Sequence, residues 1–574
     1  MAEPAYLTIA IRKQEERQSR IPREWLLPSH SKPAPNRRNI LEIPRTCGLL
    51  SDEEVKLTEE YDAVALLEQL SSRAITSVDV ARAFCKTNCL TEIFFEDALA
   101  RAKELDLHIE KTGRPIGPLH GLPISLKDSF RVKGYDASIG LTPLCFQPAS
   151  RNSALVDLLL AAGAVLYCKT NIPQTLMALD SHNHVFGRTL NPANLQLTAG
   201  GSSGGEGALL AMRGSVLGVG TDVGGSIRIP AMCNGLLGIK PSHGRVPYSG
   251  QTHPAAEGAA KMGVESSAGP MGRSVRDCEM FLRVVGDMEP WLWDPECVAQ
   301  NWTQQSPLVR SLGQAGSEVL RIGIVRTDGV TMPLPPVQTL LDELAATLSS
   351  AAAFEIVEMD ITPLFSQCQS LANGLFSIDG SNHILDLLDS TGEPLSPWLQ
   401  TRLKRRPKMS LDKVQELHAR RTELQAKFLR IWDEDGGYWK GCPGPEQDRK
   451  GQKKRLDAFI CPVAPHPVPP VDGYNTVSYT SSFVLLDYPA GTLPVRPLRV
   501  GDLKGELTEA KPSSRWDKAN RDLWTKVDRS VYLGSPLCVQ VVCPRLMERK
   551  LCDVMAALEN VFKKLSKNEM VAKL

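Results

Sequence analysis

The sequence predicts an α/β fold, a large β-sheet with helices over both faces. Three observations carry the prediction. The 574 residues are 42% hydrophobic and 23% charged, an ordinary globular balance. Short apolar runs alternate with stretches of helical periodicity along most of the chain. Glycine is concentrated in one place, with ten glycines between Gly200 and Gly225, where a backbone free of Cβ atoms can curl around a small anionic centre.

Each element follows from its own residues. Residues 1–55 are rich in Pro and Arg and punctuated by Pro22, Pro28, Pro33, Pro35 and Pro44, which predicts an extended surface arm. Ala63, Leu66, Leu67 and Leu70 recur at helical spacing. Thr76 then stands as an N-cap, with Asp79 at the third helical position. Phe94 to Leu107 reads as an amphipathic helix. Gly121 to Asp128 is a short apolar strand ending on charge. Asn152 is placed to cap a helix that Gly163 ends, and Ala164–Cys168 follows as a buried strand. The same alternation gives a strand at Arg321–Val325, a helix from Val337 to Ser350 and a strand at Glu355–Val357. It closes with a strand at Leu537–Val542 and a helix from Leu546 to Leu565. Between 400 and 456 lie two basic clusters, Arg402 to Lys408 and Arg449 to Arg455. Acidic residues are interleaved, so a solvated helical excursion is expected rather than an anion site.

Composition excludes several classes. Lys and Arg number 66 against 65 Asp and Glu, a net charge of +1. No global field draws nucleic acid or an anionic membrane. The 14 cysteines contain no C-x-x-C pair, so they predict buried thiols in a reducing compartment rather than a zinc ribbon or redox motif. The longest apolar stretch, Val156 to Cys168, is interrupted by Asp157 and too short for a bilayer. No signal-peptide core begins the chain. A soluble, cytoplasmic protein is expected. The C-terminal Ala572-Lys573-Leu574 is one substitution from the peroxisomal Ser-Lys-Leu address.

Known uses of glycine-rich loops such as Gly200 to Gly225 each demand particular companions. A Walker loop needs a lysine, and this stretch has none. A dinucleotide fingerprint fails because Val223 stands where the third glycine belongs. Gly201-Ser202-Ser203-Gly204-Gly205 matches the G-x-S-x-G elbow and would make Ser203 an esterase nucleophile, but the HGGG-type partner motif is absent. A serine needs a proton acceptor to become a nucleophile. No histidine lies in this loop. Lysine can serve when burial leaves it neutral, and Lys127 ends an apolar strand. His182 and His184 could suggest a metal pair, but no third ligand lies at useful spacing.

The serines, the lysine and their surroundings together resemble the amidase signature hydrolases, and within them the fungal acetamidase-like enzymes. The resemblance runs from about residue 55 to 565. It is most specific from Gly200 to Pro241, which ends GTDVGGSIRIPAMCNGLLGIKP. GLPISLKDSF, TNIPQTL, NPAN, CPVAPHPVPP, LLDYPAGTLPV and SPLCVQVV also fit. The resemblance implies the amidase signature fold, with a large, mixed, mostly parallel sheet. It implies a single catalytic domain over 56–574: a helical part at 56–112, a signature core at 115–330, a substrate-shaping excursion at about 365–456 and a return at 457–574. Ser226 matches the nucleophile, Ser202 the bridging serine preceded by a cis peptide, and Lys127 the base. The N–H groups of Val223, Gly224, Gly225 and Ser226 match the oxyanion hole. Leu176 falls where the family can line the acyl pocket. Asp222 and Arg228 are expected to be structural.

The expected activity is hydrolysis of a carboxylic amide through an acyl-enzyme, without cofactor or metal. The partner is a small-molecule amide, not nucleic acid or an integral membrane, and a homodimer is compatible. An inactive amidase-like binding protein and an amidotransferase subunit are the competing classes. All three catalytic positions are filled, and no basic surface stands out for transfer RNA. One departure is local: the family carries a longer stretch where this chain has only Cys85-Lys86-Thr87-Asn88 before Cys89, so two helices are expected nearly fused there.

Overall fold

A computed structural model describes residues 4–33, 38–86, 90–256, 258–299, 302, 319–440 and 454–571. In chain order the strands are β1 (Leu90–Ile93), β2 (Pro123–Lys127), β3 (Val165–Thr170), β4 (His182–Asn183), β5 (Gly187–Arg188), β6 (Leu217–Asp222) and β7 (Leu237–Lys240). They continue as β8 (Ser267–Gly272), β9 (Leu320–Val325), β10 (Phe354–Met359), β11 (Ala458–Pro462), β12 (Ala490–Pro497) and β13 (Pro536–Val542). β4 and β5 form a small hairpin. The rest make one 11-stranded sheet in the order β1-β3-β2-β6-β8-β7-β12-β13-β11-β9-β10. The sheet is large and mixed, as expected. Its parallel pairings lie in two blocks, β3-β2-β6 and β11-β9-β10. The strands between them run antiparallel, so the parallel character belongs to the flanks rather than the centre.

Both faces are covered because successive strand residues point to opposite sides. β12 shows this within two residues. Gly491 lies against Met555 of the C-terminal helix Glu548–Val571, while Thr492 Oγ1 donates to the Arg228 carbonyl of the helix Arg228–Asn234 at 3.0 Å. β2 is buried at every residue, its polar Ser125 and Lys127 included. Ile124 and Leu126 enter the main core, while Ser125 and Lys127 share the other face.

Local expectations meet mixed outcomes. Thr76 caps the helix Ser77–Cys85, its side chain accepting from the Asp79 N–H. The helix predicted near Phe94 spans Phe95–Thr112, and Gly113 ends it at φ 72°. Asn152 is not the cap of the helix Ala154–Ala161; Ser153 stands at that boundary. The Asn152 side-chain Oδ1 instead accepts from the Lys133 N–H at 2.7 Å. The helices flanking Cys85 are not fused. β1 lies between them and pairs antiparallel with β3, while Thr87, Asn88 and Cys89 lie outside the described residues.

The arm is not extended throughout, because Ala5–Ser19 is a helix. Its residues are good helix formers, and the prolines that suggested an extended arm begin only at Pro22. The helix is anchored by Lys13, which is 2% exposed and pairs with Glu16 (2.9 Å), Glu92 (2.6 Å) and Asp136 (2.7 Å).

Several basic residues of the 400–456 region are paired or stacked. Arg402 lies 4.0 Å over the Trp398 ring, Arg405 meets Asp386 and Asp389, and Arg455 meets Asp433. The region contains the helix Leu411–Phe428. Arg449, Lys450 and Lys453 are outside the described residues, as is the tripeptide Ala572-Lys573-Leu574. No described helix is long and apolar enough to cross a membrane.

Candidate active site

The site lies at the carboxyl ends of the parallel strands β3, β2 and β6, the rim where open α/β sheets hold ligands. Lys127 ends β2 and pairs in register with Thr170, the last residue of β3. It is fully buried. Its Nζ lies 2.6 Å from Ser202 Oγ, 2.8 Å from Thr221 Oγ1 and 3.2 Å from the Thr221 carbonyl. These neighbours are neutral. Burial therefore pushes the ammonium down to about 7, although Asp222 and then Glu206 pull the other way. Thr221 was not singled out from the sequence. Its signal was the GTD of β6, the strand beside β2.

Ser202 follows a cis Gly201–Ser202 peptide bond. The next residue, Ser203, begins the helix Gly204–Ala211. Its N–H donates to the Ser226 carbonyl at 3.1 Å, which ties the two serine segments together. Among the described residues no hydrogen bond joins Ser202 Oγ to Ser226 Oγ. Ser226 is 6% exposed. Ser203 Oγ is fully buried without a partner, enclosed against Gly220 of β6. An elbow nucleophile must be presented to substrate, and Ser203 is not.

The loop Val223–Ser226 curls over the Asp222 carboxylate. That carboxylate accepts from the Gly225 N–H (2.6 Å), the Ile227 N–H (3.2 Å), Arg228 Nε (3.0 Å) and Arg228 Nη2 (2.9 Å). Burial alone would raise Asp222; Arg228 outweighs it and holds the carboxyl below its usual range. Arg228 Nη1 also donates to Gln540 Oε1 at 2.5 Å. Asp222 and Arg228 thus form the structural hydrogen-bonded pair expected. Gly225, expected among the oxyanion donors, has its N–H engaged by Asp222. Among the described residues the N–H groups of Val223, Gly224 and Ser226 have no internal acceptor.

Glu206 projects from the helix Gly204–Ala211 onto the face of β2 that carries Lys127. It accepts from Ser125 Oγ at 2.6 Å and Thr170 Oγ1 at 2.8 Å. Burial pushes it up to about 7. Leu176 sits at φ 62° and packs with Ile139, Leu141, Ile172 and Ile384. The rings of His182 and His184 are 5.7 Å apart. Burial and then Arg188 push His182 down to about 4. Among the described residues no group of three or more His, Cys, Asp or Glu side chains is placed to hold a metal.

A glycine-curled loop, a buried lysine and serines at a strand rim define a hydrolase site of a recognisable class. Comparison with known proteins agrees. A family model described as Amidase matches residues 76–552. The chain is 35% identical to an acetamidase of Aspergillus oryzae over 96% of this chain and 97% of that one. It is 36% identical to an acetamidase of Emericella nidulans over 92% and 93%. Among solved structures, a fatty acid amide hydrolase superposes with a TM-score of 0.83 at 26% identity, covering 97% of this chain and 95% of that one. The chain belongs to the amidase family, and it is an amide-hydrolysing enzyme.

Proposed function

We propose that this enzyme cleaves a carboxylic amide to the acid and ammonia or an amine through an acyl-enzyme on Ser226, within a single catalytic domain of residues 56–574. The observation that carries the reading is the 2.6 Å approach of Lys127 Nζ to Ser202 Oγ at a fully buried position. There the lysine lies low enough to be neutral and to accept a proton. Lys127 takes the proton of Ser202 as Ser202 takes that of Ser226. Ser226 Oγ bonds to the amide carbon, and the carbonyl π pair moves to oxygen. The open N–H groups of Val223, Gly224 and Ser226 receive that oxyanion. The relay then runs in reverse and protonates the leaving nitrogen as the C–N bond breaks. Water, deprotonated by the same relay, releases the acid.

Leu176 contributes to the acyl side of the pocket in this reading. The names of the relatives point to acetamide-like and longer acyl amides as the substrates to screen. The same reading places the enzyme in the cytoplasm, supported by free thiols at twelve described cysteines.

Treatment with a fluorophosphonate probe and mapping of the labelled peptide tests it. Label is expected on Ser226 and lost in Ser226→Ala, together with amide turnover. Label on Ser203 would overturn the assignment.

A further inference from the structure

Helix Ser478–Leu485 lies over 250 residues downstream of Ser226, in the C-terminal stretch read as returning to the core. Its contact with the nucleophile loop is specific. Thr480 Oγ1 donates to the Gly224 carbonyl at 2.5 Å, and Thr480 is fully buried. The Gly224 carbonyl and the Gly225 N–H belong to one rigid peptide plane and point in opposite directions. The N–H end donates to Asp222 Oδ1 at 2.6 Å. This single plane is therefore held at both ends by side chains.

The surroundings agree with a clamp. Gly225 sits at φ +129°, and a Cβ there would run into Thr480 Oγ1 and approach Ile229 Cδ1 at 2.6 Å. Only glycine lets the threonine come so close. A Cβ on Gly224 would meet nothing within 4 Å, so that side of the loop is open. The two anchors are also joined to each other. Asp222 is gripped by Arg228, Arg228 donates to Gln540, and Gln540 Nε2 donates to the carbonyl of Tyr479 at 2.9 Å, one residue before Thr480.

We propose that Thr480 is a positioning residue for the reaction. With Asp222, it fixes the Gly224–Gly225 peptide plane so that the N–H groups on either side, those of Gly224 and Ser226, stay open to the developing oxyanion. Donors set in place before charge develops need no reorganisation in the transition state. The threonine touches no reacting atom; it acts through the backbone it holds. The proposal rests on Ser226 being the nucleophile.

The test measures kcat, KM, thermal midpoint and the rate of fluorophosphonate labelling for Thr480→Val, Thr480→Ala, Thr480→Ser and Ser226→Ala, with an amide that the wild type turns over. Thr480→Val is expected to lower kcat by about 10- to 100-fold, less than or comparable to the loss of a whole oxyanion donor, with KM within threefold. Labelling should slow in parallel, and Thr480→Ser should restore both. Thr480→Ala provides the same readout should the valine variant not fold. Wild-type kcat in the folded valine or alanine variant would overturn the proposal. So would a serine variant as slow as alanine, or an effect confined to KM. Should Ser226→Ala remain active, the nucleophile reading falls first. Should Ser226→Ala be inactive while Thr480→Val is fully active, only the role of Thr480 falls.

Discussion

Lys13 and Lys127 are buried to nearly the same degree, at 2% and 0% exposure, yet the fold treats them in opposite ways. Lys13 joins the N-terminal helix to the sheet. Burial pushes its ammonium down, but Glu92, Asp136 and Glu16 outweigh that and hold it above the usual lysine value. Lys127 touches hydroxyls and a carbonyl instead. The nearest carboxylates are engaged elsewhere, Asp222 by Arg228 and Glu206 by Ser125 and Thr170. The difference teaches that burial alone does not set a lysine's charge; the immediate partners do. One environment holds a charged lysine, the other a lysine able to lose its charge near neutral pH.

The sharpest way to break the comparison is to remove both amines. Lys127→Met is expected to lower kcat by roughly 10²- to 10⁴-fold, the usual range for a lost general base, with the thermal midpoint nearly unchanged. Lys13→Met should do the reverse. It leaves Asp136 buried without its cation and Glu92 with Arg20 alone, which costs about 3 kcal/mol of stability in a denaturant titration. The protein that remains folded should keep its kcat.

A pH profile sharpens the contrast. Above about 7 Lys127 is neutral and can accept a proton. Below that it is protonated, so kcat/KM should fall by about tenfold per pH unit on the acid side. A profile flat down to pH 5 would remove Lys127 from the role of base. The smallest effect is expected from Ser203→Ala. Its buried hydroxyl has no partner to lose, so stability should shift by about 0.5 kcal/mol or less and turnover should stay near wild type.

What the sequence made legible follows chain distance. Lys127, Ser202 and Ser226 sit in short motifs, and two of the strands around them, β2 and β3, show as short apolar runs. Thr221 escaped because its contact crosses from β6 to β2, a pairing no local pattern states. Thr480 escaped for the same reason at greater range. The engagement of the Gly225 N–H was not legible, because the carboxylate three residues earlier folds back onto it, a matter of loop geometry. The helix at Ala5–Ser19 was hidden by prolines that begin only after it ends. The large mixed sheet could be anticipated, but not the antiparallel centre, since strand order depends on which segments meet across the chain.

The parallel block β3-β2-β6 has a consequence for how such an enzyme diversifies. Its three strands end on one rim, and they carry Thr170, Lys127 and Asp222 there. The segment from Thr362 to Phe428 contributes its helices to neighbouring apolar clusters and none of the three strands. On the proposed reading, in which this segment shapes the acyl side of the pocket, exchanging it would change acyl preference while Lys127 stays where β2 puts it.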